Sequence, residues 1–211
     1  MADKAPEITW YFDTVSPFSF LALPAVEALA TRRPVALRPV VFGAILAHWG
    51  GLGPAEVPPK RLHTYRLCRF LADRAGVPMR FPPRHPFRSL EAQRLLTALR
   101  ATPEAVRTVF DFVWREGRDP GDPAEFAELR GRFAEPDPRG LDGAKAALRG
   151  ATYEAIAAGV FGVPTLRIGA ELFWGLDAVP MAEAYLEDRS LFARGEMARL
   201  ADLPMGVERR R

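Results

Sequence analysis

The sequence predicts an α/β fold in which a long helical segment interrupts a small β-sheet. Three observations lead to this prediction. Runs rich in β-branched and aromatic residues occur at 8–12, 35–42 and 165–174, near the two ends of the chain. Between residues 43 and 150 helix-forming residues dominate, and no convincing strand-like alternation occurs. The sheet should therefore be assembled from two parts of the chain that are far apart in sequence.

A strand, a helix and a second strand follow one another at the start of the chain. The strand at 8–12 leads into a helix whose apolar residues recur at spacings of three and four, which places them on one buried face. These residues are Phe18, Leu21, Ala22, Ala25, Val26 and Leu29. Pro24 lies inside this helix and is expected to bend it, because proline lacks a backbone N–H. With a strand at 35–42, this stretch predicts a right-handed βαβ unit.

Five helices are predicted in the middle of the chain, with prolines in first turns and glycines at ends. They are expected at 58–75, 89–100, 103–117, 123–133 and 138–149. Two irregular connections, at 50–54 and 81–88, are rich in glycine or proline. Long irregular connections beside a rigid scaffold often line a site, so we expect these two near one.

Sequence patterns typical of β-strands occur again in the last third of the chain. After a helix at 151–158, two short strands at 165–168 and 172–174 flank a Gly169-Ala170 turn, which predicts a hairpin. A helix from 177 to about 188 should follow. One more short helix is expected near 191–201.

Composition limits the class of protein. The 211 residues are 48% hydrophobic and 26% charged, as in globular proteins, and the net charge is only +3. Charges of both signs alternate until the last four residues, so no nucleic-acid-binding stripe is predicted. Cys68 is the only cysteine, which excludes an intramolecular disulfide, and three scattered histidines give no support for a metal site. Without a signal peptide or membrane-spanning run, we expect a cytoplasmic protein without membrane contact.

Ser16 lies where the first strand gives way to the first helix. The first N–H groups of a helix lack intrahelical partners and the helix dipole is positive there, so an anion such as a thiolate is stabilised near this hydroxyl. Pro17 suits the first helical turn. The simpler alternative is that Ser16 is only an N-cap, whose oxygen accepts a backbone N–H.

Three motifs, in this order along the chain, resemble a known family. They are Asp-Thr-Val-Ser-Pro-Phe-Ser-Phe at 13–20, Gly-Val-Phe-Gly-Val-Pro-Thr at 159–165 and Phe-Trp-Gly-Leu-Asp at 173–177. They are similar to motifs of 2-hydroxychromene-2-carboxylate isomerase and kappa-class glutathione transferase, in the thioredoxin-like group that includes the disulfide oxidoreductase A proteins. Redox members of that group carry Cys-x-x-Cys. This chain has Ser16-Pro17-Phe18-Ser19 instead, which excludes disulfide chemistry at this site.

The resemblance implies a thioredoxin-like fold with an inserted helical domain. The thioredoxin-like domain would be discontinuous and comprise residues 7–45 and 151–190. The helical insertion domain would be 46–150, and residues 191–211 would form a C-terminal tail.

The resemblance also implies glutathione as the cofactor. Val163-Pro164 would be a cis X-Pro bond opposite the first helix, where backbone groups pair with the cysteinyl part of an extended tripeptide. Asp177 would meet the γ-glutamyl amine of glutathione, and Lys60 the carboxylate of its glycine. Family members have a small polar residue where this chain has Leu176, which leaves backbone N–H groups to hold the γ-glutamyl carboxylate.

The expected substrate is a small aromatic carboxylate. Arg61 lies next to Lys60, and His85 and Arg88 lie in the 81–88 connection, so these three are candidates to bind its carboxylate. Packing, capping or simple solvation is the alternative for each of them. An aspartate that family members usually have near 67–69 is absent from this sequence.

Ser16 has no evident general base, so it is better suited to donate a hydrogen bond to the glutathione thiolate than to attack a substrate. By resemblance, the thiolate would add reversibly to an unsaturated aromatic acid, permit bond rotation and leave unchanged, which is an isomerisation. Conjugation by a kappa-type glutathione transferase is one alternative. A non-catalytic thioredoxin-like binding module is another, and a homodimer is a possible assembly for any of them.

Overall fold

The computed structural model describes the backbone of residues 8–134 and 138–207, and the side chains of the same residues except 138–142. The strands are β1 Ile8–Phe12, β2 Val35–Pro39, β3 Thr165–Ile168 and β4 Glu171–Trp174. They form one sheet in the order β2-β1-β3-β4, in which only the β1–β2 pair is parallel. The predicted α/β fold, with a sheet built from both ends of the chain, is confirmed.

Helices fill the chain between β2 and β3 and follow β4. Within the described ranges they are α1 Pro17–Ala30, α2 Phe42–Trp49, α3 Pro58–Arg74, α4 Leu90–Ala98, α5 Pro103–Trp114, α6 Pro123–Gly131, α7 Pro138–Ala157, α8 Val179–Glu187 and α9 Gly195–Leu200. Short 3-10 turns occur at Pro54–Glu56 and Leu191–Ala193. The helix predicted after β1 is confirmed and continues through Pro24.

The prediction of a second strand reaching residue 42 is wrong. β2 ends at Pro39, and Phe42 begins α2, which the sequence analysis did not foresee. The Phe42 N–H donates to the carboxylate of Asp13 at 2.9 Å instead of to a neighbouring strand. A run of apolar residues as short as 40–42 does not by itself distinguish a strand end from a helix start. α2 ends at Trp49 and is capped by Gly50, whose φ of 65° is favourable for glycine.

Three further boundaries differ from the prediction. The helices expected at 138–149 and 151–158 are one helix, α7, because a glycine inside a helix costs only about 1 kcal/mol and does not end it. The helix predicted from 177 to about 188 starts at Val179. The helix expected at 191–201 is a 3-10 turn followed by α9. Residues 208–211, the end of the predicted tail, lie outside the described residues.

The sheet and the helical segment share one apolar core. Phe110 of α5 packs against Phe12 of β1 and Phe20 of α1, with ring centroids 5.6 and 6.4 Å apart. Trp114 of α5 stacks on Phe20 at 6.5 Å. These rings, except for a small part of Phe20, are fully buried. The division into two domains, with its predicted boundaries, stays a prediction, but the part that holds Phe110 and Trp114 packs directly on the sheet.

A buried glutamine joins this helical part to the ends of β1 and β2. The Gln93 amide of α4 donates to the carbonyls of Phe12 and Val40 at 3.0 and 2.8 Å. Its oxygen accepts the N–H of Thr14 at 3.3 Å. Gln93 is fully buried, so water cannot replace it in these bonds.

We expect Gln93→Leu to lower the free energy of unfolding by about 2–6 kcal/mol. The substitution leaves the Thr14 N–H and the Val40 carbonyl buried and unpaired, and each such group costs about 1–3 kcal/mol. The Phe12 carbonyl keeps the Val40 N–H as a donor, at 3.0 Å. Urea unfolding followed by circular dichroism measures the difference.

Glu91→Gln on the exposed face of α4 is the matched control. It keeps the shape of a side chain in the same helix and removes one exposed ion pair with Arg94. We expect it to change the unfolding free energy by less than about 1 kcal/mol. Equal stability of the Gln93→Leu protein and this control would contradict the proposed importance of the buried amide.

Candidate active site

Ser16 is the N-cap of α1, in the turn between β1 and that helix. Its hydroxyl oxygen accepts the N–H of Ser19 at 3.2 Å, and its own N–H donates to the Asp13 carbonyl at 3.0 Å. Among the residues that the structure describes, no acceptor lies within hydrogen-bond distance of the Ser16 hydroxyl hydrogen. Capping and donation to a ligand are therefore compatible, since they use different parts of the hydroxyl.

The carboxylate of Asp13 holds the same turn, a role that the sequence analysis missed. It accepts the N–H of Val15 at 3.0 Å and that of Phe42, and it also bonds the Ser89 side chain. Burial raises the pKa of the Asp13 carboxyl, and the three hydrogen bonds oppose this effect. A turn in which an aspartate side chain accepts the N–H of the residue two positions later is called an Asx turn. The aspartate directly after the first strand was therefore the available sequence signal.

Side chains from the helical segment bind the remaining backbone groups of the turn. The Trp114 indole N–H donates to the Thr14 carbonyl at 2.9 Å. Nε2 of His85 lies 2.8 Å from the Val15 carbonyl, and Gln93 accepts the Thr14 N–H. Three residues far along the chain therefore fix the backbone in front of Ser16.

His85 is enclosed by its own partners. Its Nδ1 lies 2.8 Å from the Tyr65 hydroxyl, which is also 2.7 Å from the His85 carbonyl. Burial lowers the pKa of His85, against the opposing effect of the Val15 carbonyl. Both ring nitrogens are engaged inside the protein, which leaves neither free to bind a substrate carboxylate in this arrangement.

The Val163-Pro164 bond is cis, which confirms that prediction, and His85-Pro86 is a second cis bond that was not predicted. Val163-Pro164 directly precedes β3, whose first residue, Thr165, pairs with Tyr11 near the end of β1. Ser16 follows the same end of β1. The sheet therefore brings Ser16 and Val163-Pro164 to one edge.

The backbone of Val163 is unusual because it is buried and unpaired. Only 6% of the residue is exposed, yet its N–H and C=O have no hydrogen-bond partner within the described part of the chain. Most buried backbone groups in proteins are paired. One donor and one acceptor are thus available next to Pro164.

The segment after β4 is hydrogen-bonded to the loop that contains Val163 and Pro164. The Gly175 N–H donates to the Pro164 carbonyl at 2.9 Å. Gly175 has a φ of 95°, and a Cβ there would collide with the Asp177 carboxylate, so this position requires glycine. The indole of Trp174 packs on Gly162, where a Cβ would also collide. Close packing thus holds the two segments together.

Leu176 and Asp177 lie in the turn before α8. The N-cap of this helix is Ala178, so Asp177 does not cap it. Leu176 packs its side chain against the core, and Asp177 is exposed. Their N–H groups have no partner among the described residues, and they lie near the positive end of the α8 dipole.

The predicted basic residues are all exposed. Lys60 and Arg61 occupy the first turn of α3, and Arg88 ends the 81–88 connection. No ion pair of these three occurs within the described part of the chain. The charge of Arg61 opposes the burial that raises the pKa of Tyr65, which puts Arg61 near the Tyr65–His85 pair. No described contact joins Lys60 or Arg88 to Ser16 or Val163.

Metal-binding clusters and membrane-spanning helices are both absent from residues 8–134 and 138–207, the described part of the chain. No group of three or more histidine, cysteine, aspartate or glutamate side chains there could hold a metal ion. No helix in these ranges has the length and apolar character needed to cross a membrane.

Known proteins are similar to this chain in sequence and in fold. Residues 7–187 match the model of the DSBA-like thioredoxin domain family. The chain is 31% identical over 198 residues to a 2-hydroxychromene-2-carboxylate isomerase of Sphingobium xenophagum, covering 86% of this chain and 98% of that protein. A solved structure of 2-hydroxychromene-2-carboxylate isomerase superimposes with a TM-score of 0.71 at 25% identity, over 94% of this chain and 99% of that one.

A shorter match links the chain to glutathione enzymes. It is 30% identical over 83 residues to glutathione S-transferase kappa 1 of Caenorhabditis elegans, over 38% of this chain and 37% of that protein. The match to the isomerase is much longer, and the residues matched by the family model, 7–187, include the four strands and all three motifs of the candidate site. The chain belongs to the DSBA-like thioredoxin domain family and, within it, to the family of 2-hydroxychromene-2-carboxylate isomerases.

Proposed function

We propose that this protein is a glutathione-dependent isomerase of 2-hydroxychromene-2-carboxylate or a similar aromatic acid. The relatives supply the substrate class and the reaction. The observation that carries the proposal is the Ser16 hydroxyl, which lies at the N-terminus of α1, at the same sheet edge as Val163-Pro164, with its hydrogen unpaired.

The unpaired groups at this edge fit glutathione. An extended peptide pairs through one N–H and one C=O on each side, and Val163 offers both. The exposed carboxylate of Asp177 suits the γ-glutamyl amine, and the N–H groups of Leu176 and Asp177 suit the γ-glutamyl carboxylate. Lys60 is assigned to the glycine carboxylate. Leu176 acts through its backbone in this proposal, because its side chain packs against the core.

Bound glutathione supplies a thiol that, once ionised, adds reversibly to a conjugated double bond and so permits rotation about it. The protein favours the ionised form because the Ser16 hydroxyl donates a hydrogen bond to the sulfur. The positive end of the α1 dipole and the unpaired Phe18 N–H add to this effect. Arg61 and Arg88 are assigned to the substrate carboxylate.

Conjugation of glutathione to an electrophile is the second candidate, which the shorter match to a kappa-class transferase favours. The same thiolate site serves both reactions, and they differ in whether the adduct is released. Accumulation of a stable glutathione conjugate would support the transferase. Saturable glutathione binding without thiolate formation would support a non-catalytic binding module.

We expect Ser16→Ala to raise the pKa of the bound glutathione thiol by about 1–2. A hydrogen bond to a charged group is worth about 1.5–3 kcal/mol, and about 1.4 kcal/mol corresponds to one pKa unit. Titration of the thiolate absorbance of the complex measures this shift. Glutathione affinity should fall less than turnover, because the backbone contacts of Val163 remain.

Ser19→Ala is the matched control, in the same helical turn. The Ser19 hydroxyl is buried and has no hydrogen-bond partner, so its loss removes no interaction. We expect the thiol pKa to stay at its wild-type value in this variant. A Ser16→Ala protein that behaved like the Ser19→Ala protein would leave Ser16 as a cap only.

The reaction itself is tested directly by ultraviolet spectroscopy. We expect the wild-type protein with glutathione to convert 2-hydroxychromene-2-carboxylate into trans-o-hydroxybenzylidenepyruvate, because both the relatives and the thiolate site point to this chemistry. Omitting glutathione should abolish the reaction. An unchanged rate without glutathione would exclude the proposed role of the thiol, and no rate on any aromatic pyruvate would exclude the isomerase function.

A further inference from the structure

The peptide group between Val15 and Ser16 is held at both of its ends. Its N–H, on Ser16, donates to the Asp13 carbonyl at 3.0 Å. Its carbonyl, on Val15, lies 2.8 Å from His85 Nε2. Because a peptide group is planar, fixing its N–H and C=O fixes its plane. The next plane is held by the Ser16 carbonyl, which accepts the N–H groups of Ser19 and Phe20 at 3.1 and 3.3 Å, so the two planes together fix the torsion φ of Ser16. That torsion sets the direction in which the Ser16 side chain leaves the backbone.

We propose that His85 is a positioning residue for the Ser16 hydroxyl, and that Tyr65 holds the His85 ring in place. This inference rests on the proposed function, in which that hydroxyl stabilises the glutathione thiolate. His85 reaches Val15 across 70 positions of sequence, from the connection between α3 and α4. It does not touch the thiol in this proposal but acts through the orientation of Ser16.

The hydrogen-bond partners assign the tautomer of His85. A carbonyl oxygen can only accept, so Nε2 must carry a hydrogen to bond Val15. Nδ1 then faces the Tyr65 hydroxyl, whose one hydrogen goes either to Nδ1 or to the His85 carbonyl, 2.7 Å away. The Nε2–H is present in this neutral tautomer and in the protonated ring alike. The hydrogen bond to the Val15 carbonyl therefore does not depend on the charge of His85.

Aromatic packing fixes the ring in the orientation that this bond requires. Four neighbouring rings lie with their centroids within 6.1 Å of the His85 ring, and all four contacts are edge-on. They belong to Tyr65, Phe81, Phe87 and Trp114. Trp114 also bonds the Thr14 carbonyl, so the same cluster holds two successive carbonyls of the turn. A ring with few free rotations is suited to positioning another group.

The test compares His85→Leu with His85→Gln, using the pKa of the bound glutathione thiol as the readout. Leucine fills similar space without a donor, whereas the glutamine amide reaches about as far as Nε2 and can still donate to Val15. We expect His85→Leu to raise the thiol pKa by about 0.5–1, the size expected for the loss of one hydrogen bond. At a pH below the pKa, this shift lowers the fraction of thiolate about threefold to tenfold. His85→Gln should recover most of this loss.

Combining His85→Leu with Ser16→Ala tests whether His85 acts through Ser16. If it does, the leucine substitution no longer changes the thiol pKa once the hydroxyl is absent, so the two effects are not additive. Additive effects would overturn the proposal. Tyr65→Phe, which keeps the ring but loses the hydroxyl, is expected to shift the pKa in the same direction by less, and it serves if His85→Leu does not fold.

The outcomes separate this inference from the proposed function. If wild-type and Ser16→Ala proteins bind glutathione with the same thiol pKa, the proposed function is wrong and the inference is overturned with it. If those two differ but His85→Leu and Tyr65→Phe match the wild type, only the inference is wrong. His63→Leu, an exposed histidine on α3, is the control for loss of an imidazole and should leave the thiol pKa unchanged.

Discussion

The turn between β1 and α1 is buried, so its backbone polar groups must find partners inside the protein. Thr14, in the middle of the turn, is fully buried, and both its N–H and its C=O are bonded by side chains from elsewhere. Gln93 bonds the Thr14 N–H, Trp114 bonds the Thr14 carbonyl, and His85 bonds the next carbonyl, that of Val15. All three residues come from the chain between β2 and β3. The helical segment is therefore a structural requirement of this turn. A sheet and helix α1 alone would leave these groups unpaired.

The opposite wall of the candidate site follows a different principle. The loop around Val163 is held by a hydrogen bond to the Pro164 carbonyl and by the packing of Trp174 on Gly162. The Val163 N–H and C=O themselves have no partner in the described residues. On one side of the edge the backbone groups from Thr14 to Ser16 are all bonded, and on the other side Val163 keeps a donor and an acceptor available. The proposed ligand, an extended tripeptide with a thiol, would complete the unpaired side and place its sulfur near Ser16.

The regular elements of the fold could be predicted from the sequence because their signals are local. The periodicity in α1 and the turn in the hairpin each lie within a few residues, and linear motifs identified Ser16 and Val163-Pro164. α2 could not be predicted, because Val40 to Phe42 has the composition of a strand, and its start is decided by a bond to Asp13, about thirty residues away. Gln93 and Trp114 were missed for the same reason. Their partner, Thr14, lies 79 and 100 positions away in the chain, and only the tertiary fold brings them together.

The surroundings of Ser16 favour a role as hydrogen-bond donor over a role as nucleophile. A serine becomes a nucleophile when a base within hydrogen-bond distance removes its proton. Among the described residues, the only group that bonds the Ser16 hydroxyl is the N–H of Ser19, which is a donor and cannot take a proton. His85, the nearest imidazole along this network, uses its nitrogens for Val15 and Tyr65. In the proposed function the hydroxyl therefore keeps its proton, and the nucleophile comes with the ligand.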